Sequence, residues 1–151
     1  MKDFIEVIIG GKSKEEIGEK IKGRMQIGDT AKRILKSDNF KITEKKVSLR
    51  LVRLSLADLG LKGGFFVFKD ISLQARAMGL RACPYDVVGA ELNFKCTLGI
   101  EPVPFTSWLG VTNDYLLEIR KGSSDKLNLE AVNSGPCVQY NESCLFLFAC
   151  E

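Results

Sequence analysis

The chain contains no histidine, and that absence limits the chemistry its other residues can perform. Ser-His-Asp and Cys-His nucleophile systems are excluded in their usual form. His-containing zinc sites and a His general base go with them. Thiols and carboxylates remain. Cys83 precedes Pro84 and stands two residues from Arg81, whose positive charge favours a thiolate. Its base would have to be Asp86 or a lysine. The other reading of Cys83 is a packed cysteine at the exit of a helix. Asp86 and Glu91 are the nearest carboxylate pair and flank Val87-Val88-Gly89-Ala90, which reads as a turn. Without a cleft to set their separation they are expected to be solvated loop charges. The catalytic candidates are therefore Cys83 and Asp86, for a thiol- or carboxylate-dependent enzyme.

Metal and nucleotide chemistry find little support. Cys83, Cys96, Cys137, Cys144 and Cys150 are odd in number and contain no C-x2-C pair, so zinc ribbons and fingers are not expected. If Cys144–Cys150 is one strand, its two cysteines lie about 20 Å apart at 3.3–3.4 Å per residue. Core packing is the expected role for these thiols. Gly10-Gly11-Lys12-Ser13 matches the end of a P-loop, but the first glycine of that motif falls on Glu6. A carboxylate there repels the phosphates the loop must cradle. The residues before the motif also read as a helix, whereas a P-loop follows a strand. No metal and no cofactor is expected.

Two surfaces are candidates for binding. Trp108 follows Glu101-Pro102-Val103-Pro104-Phe105-Thr106-Ser107, and with Phe105 it is either an exposed recognition platform or a core anchor. The second is basic. Residues 1–60 carry 14 Lys and Arg against 9 Asp and Glu, while residues 61–151 carry 8 against 10. Arg33, Lys36, Lys41, Lys45, Lys46, Arg50 and Arg53 concentrate the excess, which suits an acidic partner such as nucleic acid or simply forms a solvated surface.

The elements that must position these residues follow from periodicity. Phe4, Ile5, Ile8 and Ile9 have helical spacing, and Gly10-Gly11 end that run. Ser13-Lys14-Glu15-Glu16 is a capping box for a helix to about Lys22, with Ile17 and Ile21 inward. A further helix is predicted from Asp29, as its N-cap, to Lys36, with Ala31, Ile34 and Leu35 inward. The period changes to two from Val47, which predicts a strand. Asp58 to Gly64 is a turn, and Phe65 to Phe68 is either a core strand or the approach to a helix. Phe68, Ile71, Ala75 and Met78 form a helical stripe that Gly79 terminates. Beyond Pro84 the predicted strands are Glu91–Cys96, Trp108–Thr112, Tyr115–Ile119, Leu127–Val132 and Cys144–Cys150. The last is apolar on both faces and is expected to be covered on both sides.

The fold class is therefore α+β in one domain, 1–151. It has a helical part (1–40), a strand-helix junction (47–84) and a β-rich part (85–151) forming an antiparallel sheet or small barrel. The N-terminal apolar cluster carries Asp3 and Glu6 and ends at Gly10-Gly11, so no secretory signal is expected, and no window reaches the roughly 18 apolar residues of a membrane span. The expected location is cytoplasmic, with no membrane partner.

The segments Leu51-Val52-Arg53-Leu54-Ser55-Leu56-Ala57-Asp58-Leu59-Gly60 and Ala75-Arg76-Ala77-Met78-Gly79-Leu80-Arg81-Ala82-Cys83-Pro84 resemble a family of small bacterial proteins with no established activity. The resemblance reaches back to Gly10-Gly11-Lys12-Ser13-Lys14 and forward to Trp108-Leu109. It departs at Gly89-Ala90, where relatives tend to have Gly-Pro, and at Ser107-Trp108, where they tend to have Glu-Trp. It implies a bacterial origin and an intact small domain, and it brings no catalytic role. The leading expectation is a non-catalytic binding module for a protein partner or its own copy. The alternatives are a nucleic-acid-binding protein and a thiol- or carboxylate-dependent enzyme.

Overall fold

The computed structural model describes residues 4–150. Strand β1, Phe4–Ile9, occupies the place of the predicted first helix. The run Phe-Ile-Glu-Val-Ile-Ile satisfies both periods, because it is too short to separate them. Its β-branched residues favour the strand, and antiparallel pairing to β3 (Val47–Ser55) decides the matter, from Phe4 opposite Val52 to Ile9 opposite Val47. Ile9 is buried and Val7 packs on the core, while Phe4, Glu6 and Ile8 face outward. The strand also removes one objection to the Gly10-Gly11-Lys12-Ser13 motif. The objection from Glu6 stands, and Ser13 is engaged elsewhere.

That engagement is the cap of helix α1, Lys14–Lys22. The Ser13 hydroxyl accepts from the Glu16 amide at 3.1 Å, and the Ser13 amide donates to the Glu16 carboxylate at 3.2 Å. Such a cap contributes about 1 kcal/mol. Ile17 and Ile21 are buried as the spacing requires. After the short strand β2, Gln26–Ile27, helix α2 runs Asp29–Lys36 with Ala31, Ile34 and Leu35 inward. Gly28, not Asp29, is its N-cap. The first forty residues thus hold two helices and two strands that join the main sheet, in place of a purely helical unit.

Phe65–Phe66 forms β4 and Phe68–Ala77 forms α3, which buries Phe68, Ile71 and Ala75. Met78 falls off the stripe as the C-cap and is exposed, and Gly79 ends the helix at φ +81°. The remaining elements are β5 (Leu80–Arg81), a 3-10 turn (Tyr85–Gly89), β6 (Cys96–Leu98), β7 (Val103–Thr106), β8 (Thr112–Lys121), β9 (Leu127–Asn133), β10 (Tyr140–Asn141) and β11 (Leu145–Cys150). Two predicted strands are corrected. Residues 91–95 are irregular, because β8 reaches β6 only at Cys96 and Thr97. Residues 108–111 are a turn, which the hairpin geometry below explains.

Seven strands lie in the order β1-β3-β11-β6-β8-β9-β2, with β5 also paired to β11 and β7 to β8. The β11–β6 and β2–β9 pairs are parallel and the others antiparallel, so the sheet is mixed. It ends in β1 on one side and β2 on the other and does not close into a barrel. Strands β4 and β10 form a separate ladder. The α+β class holds, while the barrel and the all-antiparallel sheet do not. As expected, β11 is covered on both faces: Phe146, Leu147, Phe148 and Ala149 are all buried. Phe146 stacks between Phe68 of α3 and Phe148 and meets Tyr140 edge-on. Gly99 makes this possible, since a Cβ there would lie 2.4 Å from the Phe148 ring and 2.7 Å from the Leu147 carbonyl oxygen.

Asp86 is not a solvated charge. It is 4% exposed and accepts from the Thr43 amide at 3.1 Å and the Thr43 hydroxyl at 2.9 Å. Thr43 in turn accepts from the Gly11 amide at 3.1 Å. The carboxylate therefore ties the segment between α2 and β3 to the 3-10 turn. Glu91 is exposed. Replacing Asp86 with Ala strands two donors and is expected to lower stability by about 1–3 kcal/mol. Asp86→Asn, which keeps one acceptor, should lose less. Urea unfolding followed by circular dichroism measures both, and an unchanged midpoint for the Ala variant would contradict this role.

Candidate functional site

Strands β7 and β8 form a hairpin whose register runs from Val103 opposite Tyr115 to Thr106 opposite Thr112. Val103 is buried and Phe105 packs edge-on against Tyr115 at 6.3 Å between ring centroids. The Thr106 and Thr112 hydroxyls hydrogen-bond across the pair at 2.6 Å. On the outer side of β7, Asn39 Nδ2 donates to the Pro104 carbonyl at 2.8 Å. The Gly110 amide donates to the Ser107 carbonyl at 2.9 Å, the Ser107 amide donates to the Val111 carbonyl at 2.9 Å, and Gly110 sits at φ +80°. This is a three-residue loop in which a turn is followed by a left-handed glycine.

The loop leaves Trp108, Leu109 and Val111 in water, at 84%, 67% and 53% exposure. Trp108 is therefore exposed and is not a core anchor. Phe105 stands behind it, half-buried in the hairpin stem. No Lys or Arg lies between Lys95 and Arg120, so the tip is apolar with a stem of threonine, asparagine and acidic groups. Sequence reasoning missed Leu109 and Val111 by drawing a strand through them. The signal was present: a glycine three residues past Ser107, with threonines on either side, marks a hairpin loop.

Cys83 is buried, and its thiol donates to the Leu147 carbonyl at 3.4 Å. Burial pushes it up to about 12, the neighbouring Cys96 adds to the shift, and Arg81 offsets only part of it. Cys96 is also raised to about 12, by burial against a smaller opposing effect of Arg53. Cys144 and Cys150 are half-buried and Cys137 is exposed, so core packing describes only some of the five thiols. Cys83 and Asp86 each have structural partners, and no hydrogen bond links them.

The fold does not gather the basic candidates on one face. Arg33 and Lys36 occupy the last turn of α2, and Lys41, Lys45 and Lys46 lie exposed between α2 and β3. Arg50 and Arg53 are three apart on β3 and point to opposite faces of the sheet. Arg50 lies over the Phe4 ring at 4.0 Å, and Arg53 over Phe94 at 4.5 Å with a donated bond to the Lys95 carbonyl. Lys36 alone of this set borders a groove of about 610 Å³ between α1 and α2, with Lys14, Lys22 and Lys32.

A second cleft, of about 560 Å³, includes Cys96, Thr97, Glu118, Arg120, Asn141 and Cys144. Arg120 donates to Glu118, and Glu130 stands directly opposite Glu118 on β9. The Tyr140 hydroxyl is buried without a partner among the described residues. Burial first, then Glu118 and Cys144, push it up to about 12. The cleft joins no base to an activated nucleophile. Among the described residues no group of three or more Cys, Asp or Glu is placed to hold a metal ion, and no helix is long and apolar enough to cross a membrane.

Comparison with known proteins finds no matching family model, no matching curated protein and no matching solved structure. The functional reading therefore rests on the geometry.

The buried groups fix a response to pH. Cys83, Cys96 and Tyr140 hold their protons more tightly folded than unfolded, so the stability they contribute is full below about pH 9 and is lost as pH rises toward 12. The melting temperature should be flat near neutrality and fall through that window. In iodoacetamide labelling at pH 8, Cys137 should react first and Cys83 and Cys96 only after denaturation. Prompt alkylation of native Cys83 would contradict the burial argument and revive the thiol enzyme.

Proposed function

We propose that the protein is a non-catalytic binding module that docks the β7–β8 tip into an apolar pocket on a protein partner. The observation that carries this reading is the exposure of Trp108, Leu109 and Val111 together on one hairpin. Water penalises three large apolar side chains in a row, and a pocket that covers them recovers that cost. A tryptophan side chain buries about 150–250 Å², and residues of this kind dominate the energetics of interfaces. The cross-strand threonine pair, the Phe105–Tyr115 contact and the Asn39 bond hold the tip in place, so little conformational entropy is lost on docking.

The chemistry around the tip favours a protein. Nucleic acid and anionic lipid both need cations beside the contact, and the hairpin offers none between Lys95 and Arg120. The nucleic-acid alternative depends on seven cations that include Arg50 and Arg53 on opposite faces. The thiol alternative depends on a buried, protonated Cys83.

The test is site-specific photocrosslinking in a lysate of the source organism. A benzophenone side chain at position 109 should give a discrete adduct, and the same group at exposed position 123 should not. Trp108→Ala should remove the adduct while leaving folding stability within about 0.5 kcal/mol, as expected for an exposed residue. Adducts that persist in Trp108→Ala, or that are identical from positions 109 and 123, would overturn the proposal.

A further inference from the structure

Among the described residues strand β1 pairs only with β3, and no main-chain hydrogen bond reaches its other edge. Proteins blunt such edges with proline, lysine, a bulge or very short strands. This molecule does so elsewhere. The outer strand β7 carries Pro104 and is tied by Asn39, and the opposite end of the sheet, β2, is two residues long. β1 carries a single charged side chain, Glu6, opposite Arg50 of β3, and no other such device. It is six residues long, its register with β3 is unbroken, and it contains neither proline nor lysine. It also exposes Phe4 at 51% and Ile8 at 71%.

We propose that β1 is the interface between two copies of this chain, paired antiparallel about a twofold axis at Val7 so that two sheets become one. A twofold between antiparallel strands lies perpendicular to the sheet and keeps each face continuous, so only a few registers exist. Centring on Glu6 sets two carboxylates directly opposite each other, which is destabilising. Centring on Ile5 leaves Val7, Ile8 and Ile9 without partners in β1, and centring on Ile8 leaves Phe4, Ile5 and Glu6 without them. Centring on Val7 places Val7 against the partner's Val7 and Ile5 against the partner's Ile9, which extends the core-facing row of apolar residues across the junction. On the outer face Glu6 meets the partner's Ile8, while its charge stays opposite Arg50 of its own chain. The strand is self-complementary in this one register, which is what an isologous contact demands. The junction lies at one end of the strand order, with β3, β11 and β6 between it and the hairpin, so it is independent of docking at Trp108.

The experiment combines solution mass with a register-specific crosslink. Light scattering over a range of concentrations should find twice the monomer mass for the wild type. Ile8→Glu, which sets a carboxylate opposite the partner's Glu6 at an exposed position, should weaken the dimer by about tenfold or more with an unchanged far-UV circular dichroism spectrum. Trp108→Ala should leave the dimer intact. In a Cys137→Ser background, Val7→Cys should form an intermolecular disulfide under mild oxidation, because opposed Cα atoms lie about 4.5–5.5 Å apart. Glu6→Cys should not, because its own copy is a diagonal neighbour about 7–8 Å away. A monomer at all concentrations, a dimer lost in Trp108→Ala but kept in Ile8→Glu, or equal crosslinking from positions 6 and 7 would each overturn the inference.

Discussion

Strand β11 lies between β3 on one side and β5 and β6 on the other, and the rest of the structure depends on that insertion. Its main chain is satisfied by segments far away in sequence, from residues 47–55 and 80–99. Its side chains are buried on both faces, Phe146 and Phe148 toward the aromatic stack with Phe68 and Leu147 on the other side. Without β11 the β1–β3 pair would have no bond to the β6–β8–β9 group, and α3 would lose the ring against which Phe68 stacks. Much of the ordering entropy must be met before these long-range contacts form, which is the condition for slow folding set by topology.

The same insertion explains which parts of the fold were legible in the sequence. Where a segment's own pattern decides its state, the pattern was sufficient. The Ser13–Glu16 box, the buried pairs of α1 and α2, the glycine stop after α3 and the two-sided burial of β11 all follow from local spacing. Phe4–Ile9 was different, because six residues fit both periods and only the presence of β3 distinguishes them. The extent of β6 was set in the same way, by its pairing with β8 at Cys96 and Thr97, and not by anything in residues 91–95. Order among strands has no local signature. That β11 is central and the sheet mixed and open was therefore out of reach.

The candidate site was legible in part. Trp108 drew attention by its type and its neighbours, but a lone tryptophan reads equally well as core, and only the loop geometry around Gly110 settles its exposure. Cys83 was singled out for a favourable charge two residues away. In the fold that charge is the smaller influence, because desolvation by burial, with the neighbouring Cys96 adding to it, outweighs Arg81. The residues around Asp86 read as a turn, and a turn implies a solvated charge. The turn exists, but it is buried, and the carboxylate survives there because Thr43 supplies two donors. Sequence gave the chemical types correctly in these cases and could not give the dielectric around them.

Trp108 is also the chain's single tryptophan, and it stands almost wholly in water when the protein is folded. An indole in that setting changes its surroundings little when the chain unfolds, so its fluorescence is a poor gauge of folding. For the same reason it is a selective optical probe of the hairpin tip. A blue shift in its emission would signal that something has covered residue 108, with no second indole to dilute the signal and no label to attach.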